Sequence, residues 1–396
     1  VSFKRILAIE GYCAATPVPK ALYVPSQRKT FFAWHTINKK ILVGMYNHAT
    51  ETFANLVEVD DLDFLGALDA HYAPAINILP NGKLLCMYGC HNTSPYYKIS
   101  DSAYDITSWG SRLTISRTHT YPQLIAYPTV DNPTKLILFI RHYISSTQNT
   151  WERYETINGT SWGSPLEIVN FGGGISPYML FYQRDDKLFL SGFKYTHATS
   201  QYEDYYFGYS LGEGDGTSGD EWRDDAGGIK ALPLDATEIF AVTSSHRIAE
   251  PYALIDENNK LIMLGMWWDA KPPTTGKFRI ARYSANLGQA GSWTLEYIED
   301  NGGTDYLTKG HCNNLFIDQT LGRPAFWSYD GESVFDSGYT GKFVRQVGGT
   351  KKFDKVYEDN GRLRGGRFKV LLVEQNENYE QPIEVFFPEE GHPASE

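Results

Sequence analysis

The chain alternates short apolar runs with polar turns, at the spacing of strands rather than helices. The pattern is fullest in Asp69–Ser100, DAHYAPAINILPNGKLLCMYGCHNTSPYYKIS. Ala73–Leu79 is a first apolar run, Pro80-Asn81-Gly82 supplies a turn and Lys83–Tyr88 is a second run, which together predict a β-hairpin. His71 precedes the first run and His91 follows the second. Antiparallel pairing sets the start of one strand beside the end of the next, so the two imidazoles are expected to converge although 20 residues separate them.

The hairpin recurs. Ala21–Trp34, Pro74–Tyr88, Pro122–Arg141, Pro177–Phe193, Pro251–Trp267 and Asn314–Ser328 share one layout of apolar strand, polar turn and apolar strand. Their starts lie 48 to 74 residues apart, which suits four-stranded propeller blades of roughly 40–50 residues with inserted loops. A second repeat falls between them: Ile106–Ser116 and Ile157–Val169 share the core SWGS, and Trp222 and Trp293 occupy comparable gaps. These tryptophans are predicted to pack between neighbouring blades. The strand-like segments KFVRQV, RFKVLLVEQ and PIEVFF near the C-terminus remain, with SFKRILAIE at the N-terminus. A ring without an open edge joins strands from both termini in its last blade. The expected fold is all-β: one seven-bladed β-propeller domain over residues 1–396, its last blade closed by the N-terminal strand, with 388–396 a frayed tail.

Composition agrees with this pattern. Aromatics make up 14% of the chain, with 36 Gly and 19 Pro, and long runs of helix formers are absent. A formal charge of −11 excludes a general nucleic-acid binder, which needs a basic face, but leaves an anionic substrate open, because a local Arg/His cluster overrides the global sign. The longest apolar run, Leu261–Trp268, is too short to span a membrane. Four cysteines are too few for a disulfide scaffold, and Cys86 and Cys90 are expected to pack. The first residues lack a signal-peptide hydrophobic region and an initiator Met, as in a trimmed chain. A monomer, secreted or periplasmic, with no nucleic-acid or membrane partner is the expectation. The Gly/Asp-rich stretch Leu211–Ala231 is read as a solvated loop; calcium is the alternative, although the twelve-residue ligand pattern is missing.

In a propeller the residues just before each innermost strand cluster at one mouth of the channel. Aligning the hairpin-opening prolines puts His71 in register with His119, each three residues before its proline, and Tyr121 directly before Pro122. His246, Arg247 and Glu250 precede Pro251, Tyr252 follows it, and His311 precedes Asn313-Asn314. Arg141 and His142 end a second strand, as His91 does. No nucleophile elbow, phosphate loop or helical zinc motif is present. The set is poor in the paired carboxylates of a glycosidase, Asp69 and Glu250 being the main ones. His, Tyr and Arg suit elimination across a uronic acid instead. A cation neutralises the carboxylate and stabilises the enolate-like intermediate, His or Tyr removes the neighbouring proton, and another such group protonates the leaving oxygen.

DAHYAPAINILPNGKLLCMYGCH resembles the pattern D-x-H-x-x-P-a-I…dG-x-L…H of the BNR-type seven-bladed propeller proteins that include the ulvan lyases. HTYPQLIAYPTVDNPTKLILFIRHY is similar to their T-Y-P-x…L-x-x-x-x-R segment, and GHCNNLFIDQTLGRPAFW to their later H…D…G-R-P blade. Ala70 and Tyr72 stand where an acidic residue and an Asn are common. The resemblance covers roughly Leu42 to Trp327. It implies a polysaccharide lyase with His71, His91, Tyr121 and Arg141 as catalytic residues, flanked by His119, His142, Arg247, Tyr252 and Asn313 as substrate-binding residues. The implied partner is an anionic polysaccharide of the ulvan type, with rhamnose and glucuronate or iduronate. No cofactor is needed for that chemistry. Some ulvan lyases hold a structural zinc through His and Cys, which His197, His246, His311 and Cys312 could supply here; calcium is the other structural metal considered. Two alternatives stay open: a rhamnosidase-like propeller hydrolase in which His48 would matter, and a non-catalytic glycan-binding propeller.

Overall fold

The computed structural model describes residues 3–10, 21–36, 38–47, 49–50, 52–54, 56–66, 69–184, 186–245, 247–255, 260–268 and 278–300, with the strands 315–318, 323–330, 340–346, 353–355, 371–373 and 382–388. Apart from three short 3₁₀ turns, the regular structure among these residues is strand, in seven antiparallel sheets. All six hairpins read from the sequence are present. The hairpin of Asp69–Ser100 pairs Ala75–Ile78 with Lys83–Tyr88. Gly82 makes its turn at φ +79°, which an L side chain resists. The other five pair Ala21–Val24 with Lys29–His35, His119–Tyr127 with Lys135–Ser145, Ile175–Arg184 with Lys187–Thr196, Arg247–Ile255 with Lys260–Trp268, and Leu315–Asp318 with Arg323–Asp330. Phe3–Glu10 lies antiparallel to Pro382–Pro388, which also pairs with Leu371–Val373.

Consecutive sheets pack face to face. Ile76, Leu85, Met87, Leu138, Ile140 and Tyr154 share one buried cluster, and Ile137, Phe139, Phe181, Leu190 and Trp222 another. Ala75–Ile78 is a sheet edge, and His119–Tyr127 is one beyond its first residues, so their backbone groups need partners. Buried amide side chains supply them: Asn77 Nδ2 donates to the Leu124 carbonyl at 2.7 Å, and Gln123 donates to the Met179 carbonyl while accepting from the Phe181 N–H, both at 2.7 Å. These bonds stitch Ala75–Ile78 to His119–Tyr127, and that strand to Ile175–Arg184. The tryptophans pack between sheets as expected. Trp162 donates to the Tyr97 hydroxyl at 3.1 Å, Trp222 stands edge-on to Phe139 and Phe181, and Trp293 meets Phe207. Trp162 does so from a loop rather than from a strand. Leu211–Ala231 is less solvated than its composition suggests, because it closes over the fully buried Trp222, whose indole donates to the Gly214 carbonyl. Cys86 and Cys90 are free and buried.

Candidate functional site

Asp69 initiates the site. Its Oδ1 accepts the His71 backbone N–H at 2.8 Å, capping a 3₁₀ turn over Ala70–Tyr72 and fixing the carboxylate beside the chain. The same Oδ1 lies 2.5 Å from His71 Nδ1, and Oδ2 lies 2.5 Å from His91 Nδ1. One carboxylate thus bridges both imidazoles, whose rings stack at 3.7 Å and 13°. Burial acts to raise the Asp69 pKa, but hydrogen bonds from both histidines and the His71 backbone outweigh it and hold the carboxyl well below the usual range.

Three strands align the remaining groups. His91–Thr93 leaves the sheet of its own hairpin and pairs with the start of His119–Tyr127, so that His91, Thr120 and Arg141 form one transverse row. Tyr121 then breaks the ladder. Pro122 has no N–H to donate, and Tyr121 and Pro122 together span the gap between the Thr120/Arg141 and Gln123/Phe139 pairs, where the register shifts. Tyr121 adopts φ +61°, a left-handed conformation costing about 1 kcal/mol for a residue with Cβ. The bulge aims its ring at His71, 5.4 Å away and nearly parallel. The Arg141 guanidinium lies 4.3 Å from the Tyr121 ring centre and 4.8 Å from that of Tyr178. His91, His71 and Tyr121 therefore form one stack of rings, and Arg141 sits against both Tyr121 and Tyr178, whose ring centres are 5.9 Å apart and tilted by 44°.

Arg141 is 5% exposed, and its Nε and Nη1 find no hydrogen-bond partner. No carboxylate pairs with it among the described residues. Burial acts to lower its pKa; the Tyr121 and Tyr178 phenols outweigh that, and the side chain stays charged. A buried guanidinium lying against two phenol rings, with two nitrogens that lack a partner, is a candidate anion-binding group.

A second cluster lies on the opposite face of the same strands, because successive residues of a strand alternate sides. Glu152, fully buried, accepts from the Tyr154 hydroxyl at 3.0 Å and from Arg117 at 2.9 Å, and lies 3.1 Å from His119 Nε2. His142 Nδ1 donates to the Thr118 carbonyl at 2.9 Å, and its Nε2 accepts from Arg117 at 3.2 Å. His119 is 0% exposed, so the register that grouped it with His71 as a substrate contact is corrected: it turns inward to Glu152.

Both clusters have the donor types of a metal site. In the first, N···O separations of 2.5 Å are those of hydrogen bonds, whereas ligands around a shared zinc stand about 3 Å apart. In the second, Arg117 already occupies the cation's place. Of the residues considered for zinc, His197 meets the Ser176 hydroxyl at 2.9 Å; His246, His311 and Cys312 lie outside the described residues. Asn313 and His48 lie outside them too, and Arg247 and Tyr252 are described only as backbone, on Arg247–Ile255. Tyr178 and Glu152 were not anticipated. Tyr178 had a signal, since it directly follows the hairpin-opening Pro177, as Tyr252 follows Pro251.

A family model described as a BNR repeat-containing family member matches residues 29–301, more than half of the chain. The chain belongs to the BNR repeat-containing family. Two solved structures of an ulvan lyase of polysaccharide lyase family PL25 resemble this BNR repeat protein, each with a TM-score of 0.68 over 89% of this chain and 86% of theirs. They are 15% and 14% identical to it, and the second is bound to a saccharide of glucuronic acid and sulfated rhamnose. The BP39L lectin of Burkholderia pseudomallei aligns with a TM-score of 0.50 and 9% identity over 86% of this chain and 84% of its own. The BNR repeat protein thus shares the fold of these carbohydrate-associated proteins. Comparison with curated sequences returned no match.

Proposed function

We propose that this protein is a polysaccharide lyase that cleaves a uronic-acid-containing anionic polysaccharide by β-elimination, on a seven-bladed ring closed by Phe3–Glu10. The observation that carries this reading is Arg141: a buried guanidinium whose Nε and Nη1 lack partners, lying against Tyr121, whose ring stacks on His71 and so adjoins two partly accessible histidines. A uronate carboxylate binding Arg141 loses its negative charge locally, which acidifies the adjacent C–H and stabilises the enolate-like intermediate. His71, His91 and Tyr121 stand beside it to take that proton and to protonate the departing glycosidic oxygen. As the C–H electrons form the new C=C bond, the C–O bond breaks and its electrons leave on the oxygen.

The likeness to ulvan lyases, one of them bound to glucuronate and sulfated rhamnose, points to a rhamnose polymer with glucuronate or iduronate. A polysaccharide substrate suits a protein that is secreted or periplasmic, and the reading takes it to act as a monomer. His142 and Arg117, in the neighbouring cluster, are offered as further contacts for anionic sugars, with Arg247, Tyr252 and Asn313 as additional ones. Incubating the protein with a panel of uronic-acid polysaccharides and following near-ultraviolet absorbance tests the reading. A rise with at least one rhamnose-uronate polymer is expected; no rise with any of them would overturn it.

A further inference from the structure

We infer that Asp69 is the positioning residue that makes His71 and His91 one proton-transfer unit, an inference resting on the elimination reading above. Three observations carry it. First, both ring contacts to Asp69 run through Nδ1, at 2.5 Å. An ionised carboxylate only accepts, so each Nδ1 must carry a hydrogen, and each Nε2 is turned away from Asp69 as the reactive atom. Second, the rings are stacked at 3.7 Å, a separation at which two positive imidazoliums repel strongly, while one positive ring beside a carboxylate is neutral overall. The stacking thus disfavours a doubly charged pair, and the reactive state in this inference is the one with a single Nε2 proton between two rings. Third, Asp69 has no freedom to release either ring, because its Oδ1 also caps the 3₁₀ turn that carries His71.

A pair with one proton suits elimination. The neutral ring takes the proton from carbon at Nε2, and the charged ring gives its Nε2 proton to the glycosidic oxygen. One proton is gained and one lost, so the unit ends with the same charge and the roles of the rings exchanged. Asp69 never touches substrate and never changes its own protonation. In this arrangement Tyr121 aligns His71 from the far face and takes no net proton.

Asp69→Asn is the test, since it keeps shape and volume while replacing one acceptor oxygen with an N–H donor. Side-chain ¹⁵N NMR of the free wild-type protein should find hydrogen on Nδ1 of both histidines, and Asp69→Asn should move at least one to the Nε2–H form. Turnover on the polysaccharide that the wild type cleaves should fall about a hundredfold or more with KM little changed. A melting temperature within a few degrees of wild type would show that the fold is retained; should it collapse, the wild-type NMR alone decides. Nε2–H tautomers in the wild type overturn the inference, and so does an Asp69→Asn variant of near-normal turnover. Stoichiometric metal in the wild type that is lost in Asp69→Asn overturns it as well. Nδ1–H tautomers in a protein that eliminates no uronate polymer would uphold the role of Asp69 and overturn the elimination reading alone.

Discussion

Replacing Arg141 with Met separates stability from activity if the guanidinium is held for an anion. Burying a lone charge costs several kcal/mol even after relaxation. The two ring faces at 4.3 and 4.8 Å return about 2 kcal/mol each when desolvated. These contributions nearly cancel, so Arg141→Met, apolar and of similar length, should shift the melting temperature by no more than a few degrees in either direction. Activity has no such compensation. Two charge-assisted hydrogen bonds to a carboxylate are worth about 1.5–3 kcal/mol each, so losing both lowers kcat/KM by roughly 10²- to 10⁴-fold. Arg141→Lys keeps the charge but loses the planar fork and part of the stacking, and should fall between, at about 10- to 100-fold. The assay is initial rate of absorbance gain on the cleaved polysaccharide, with melting measured on the same preparations. A Met variant retaining more than a tenth of wild-type kcat/KM would refute the reasoning. So would parallel loss of activity and of more than ten degrees of melting temperature, which would make Arg141 structural.

Tyr121→Phe should keep its fold, because ring, bulge and stacking survive, and with the two histidines moving the protons its single-turnover rate should stay near normal; a fall of about a hundredfold would put the hydroxyl in the proton transfer. Burial lowers the His119 pKa from its ordinary 6.5, against the opposing pull of Glu152. As pH falls below about 6.5 the unfolded chain takes up this proton before the folded one, so stability is lost there, and a melting-against-pH series should be flatter in that window for His119→Gln. Deleting residues 1–10 exposes the edge of Pro382–Pro388 and should lower the melting temperature of the whole protein by several degrees; unchanged melting would remove that strand from the fold's stability.

The hairpins were legible because strand pairing between neighbours in sequence is a local matter, decided by alternation and turn chemistry. The convergence of His71 and His91 followed from the same arithmetic. Boundaries moved where side chains compete with the ladder. The first strand of the Asp69–Ser100 hairpin begins at Ala75 rather than Ala73, because Asp69 caps a 3₁₀ turn before it and Pro74 cannot donate. What lay beyond the sequence was contact between sheets. Tyr178 reaches Arg141 from the next sheet, and Glu152 meets His119 on a face that aligned prolines do not reveal. The bulge at Tyr121 had a cue in the Tyr-Pro pair, but its positive φ depends on a register that only the assembled strands define.

The central claim is that the glycosidic bond is broken by elimination, and product mass tests it most directly. A defined uronic-acid oligosaccharide should be digested to completion and both fragments weighed by mass spectrometry. The account predicts fragment masses that sum to that of the substrate, with the new non-reducing end lighter by one water than a saturated sugar. Fragments that sum to substrate plus one water would mean hydrolysis and would contradict it.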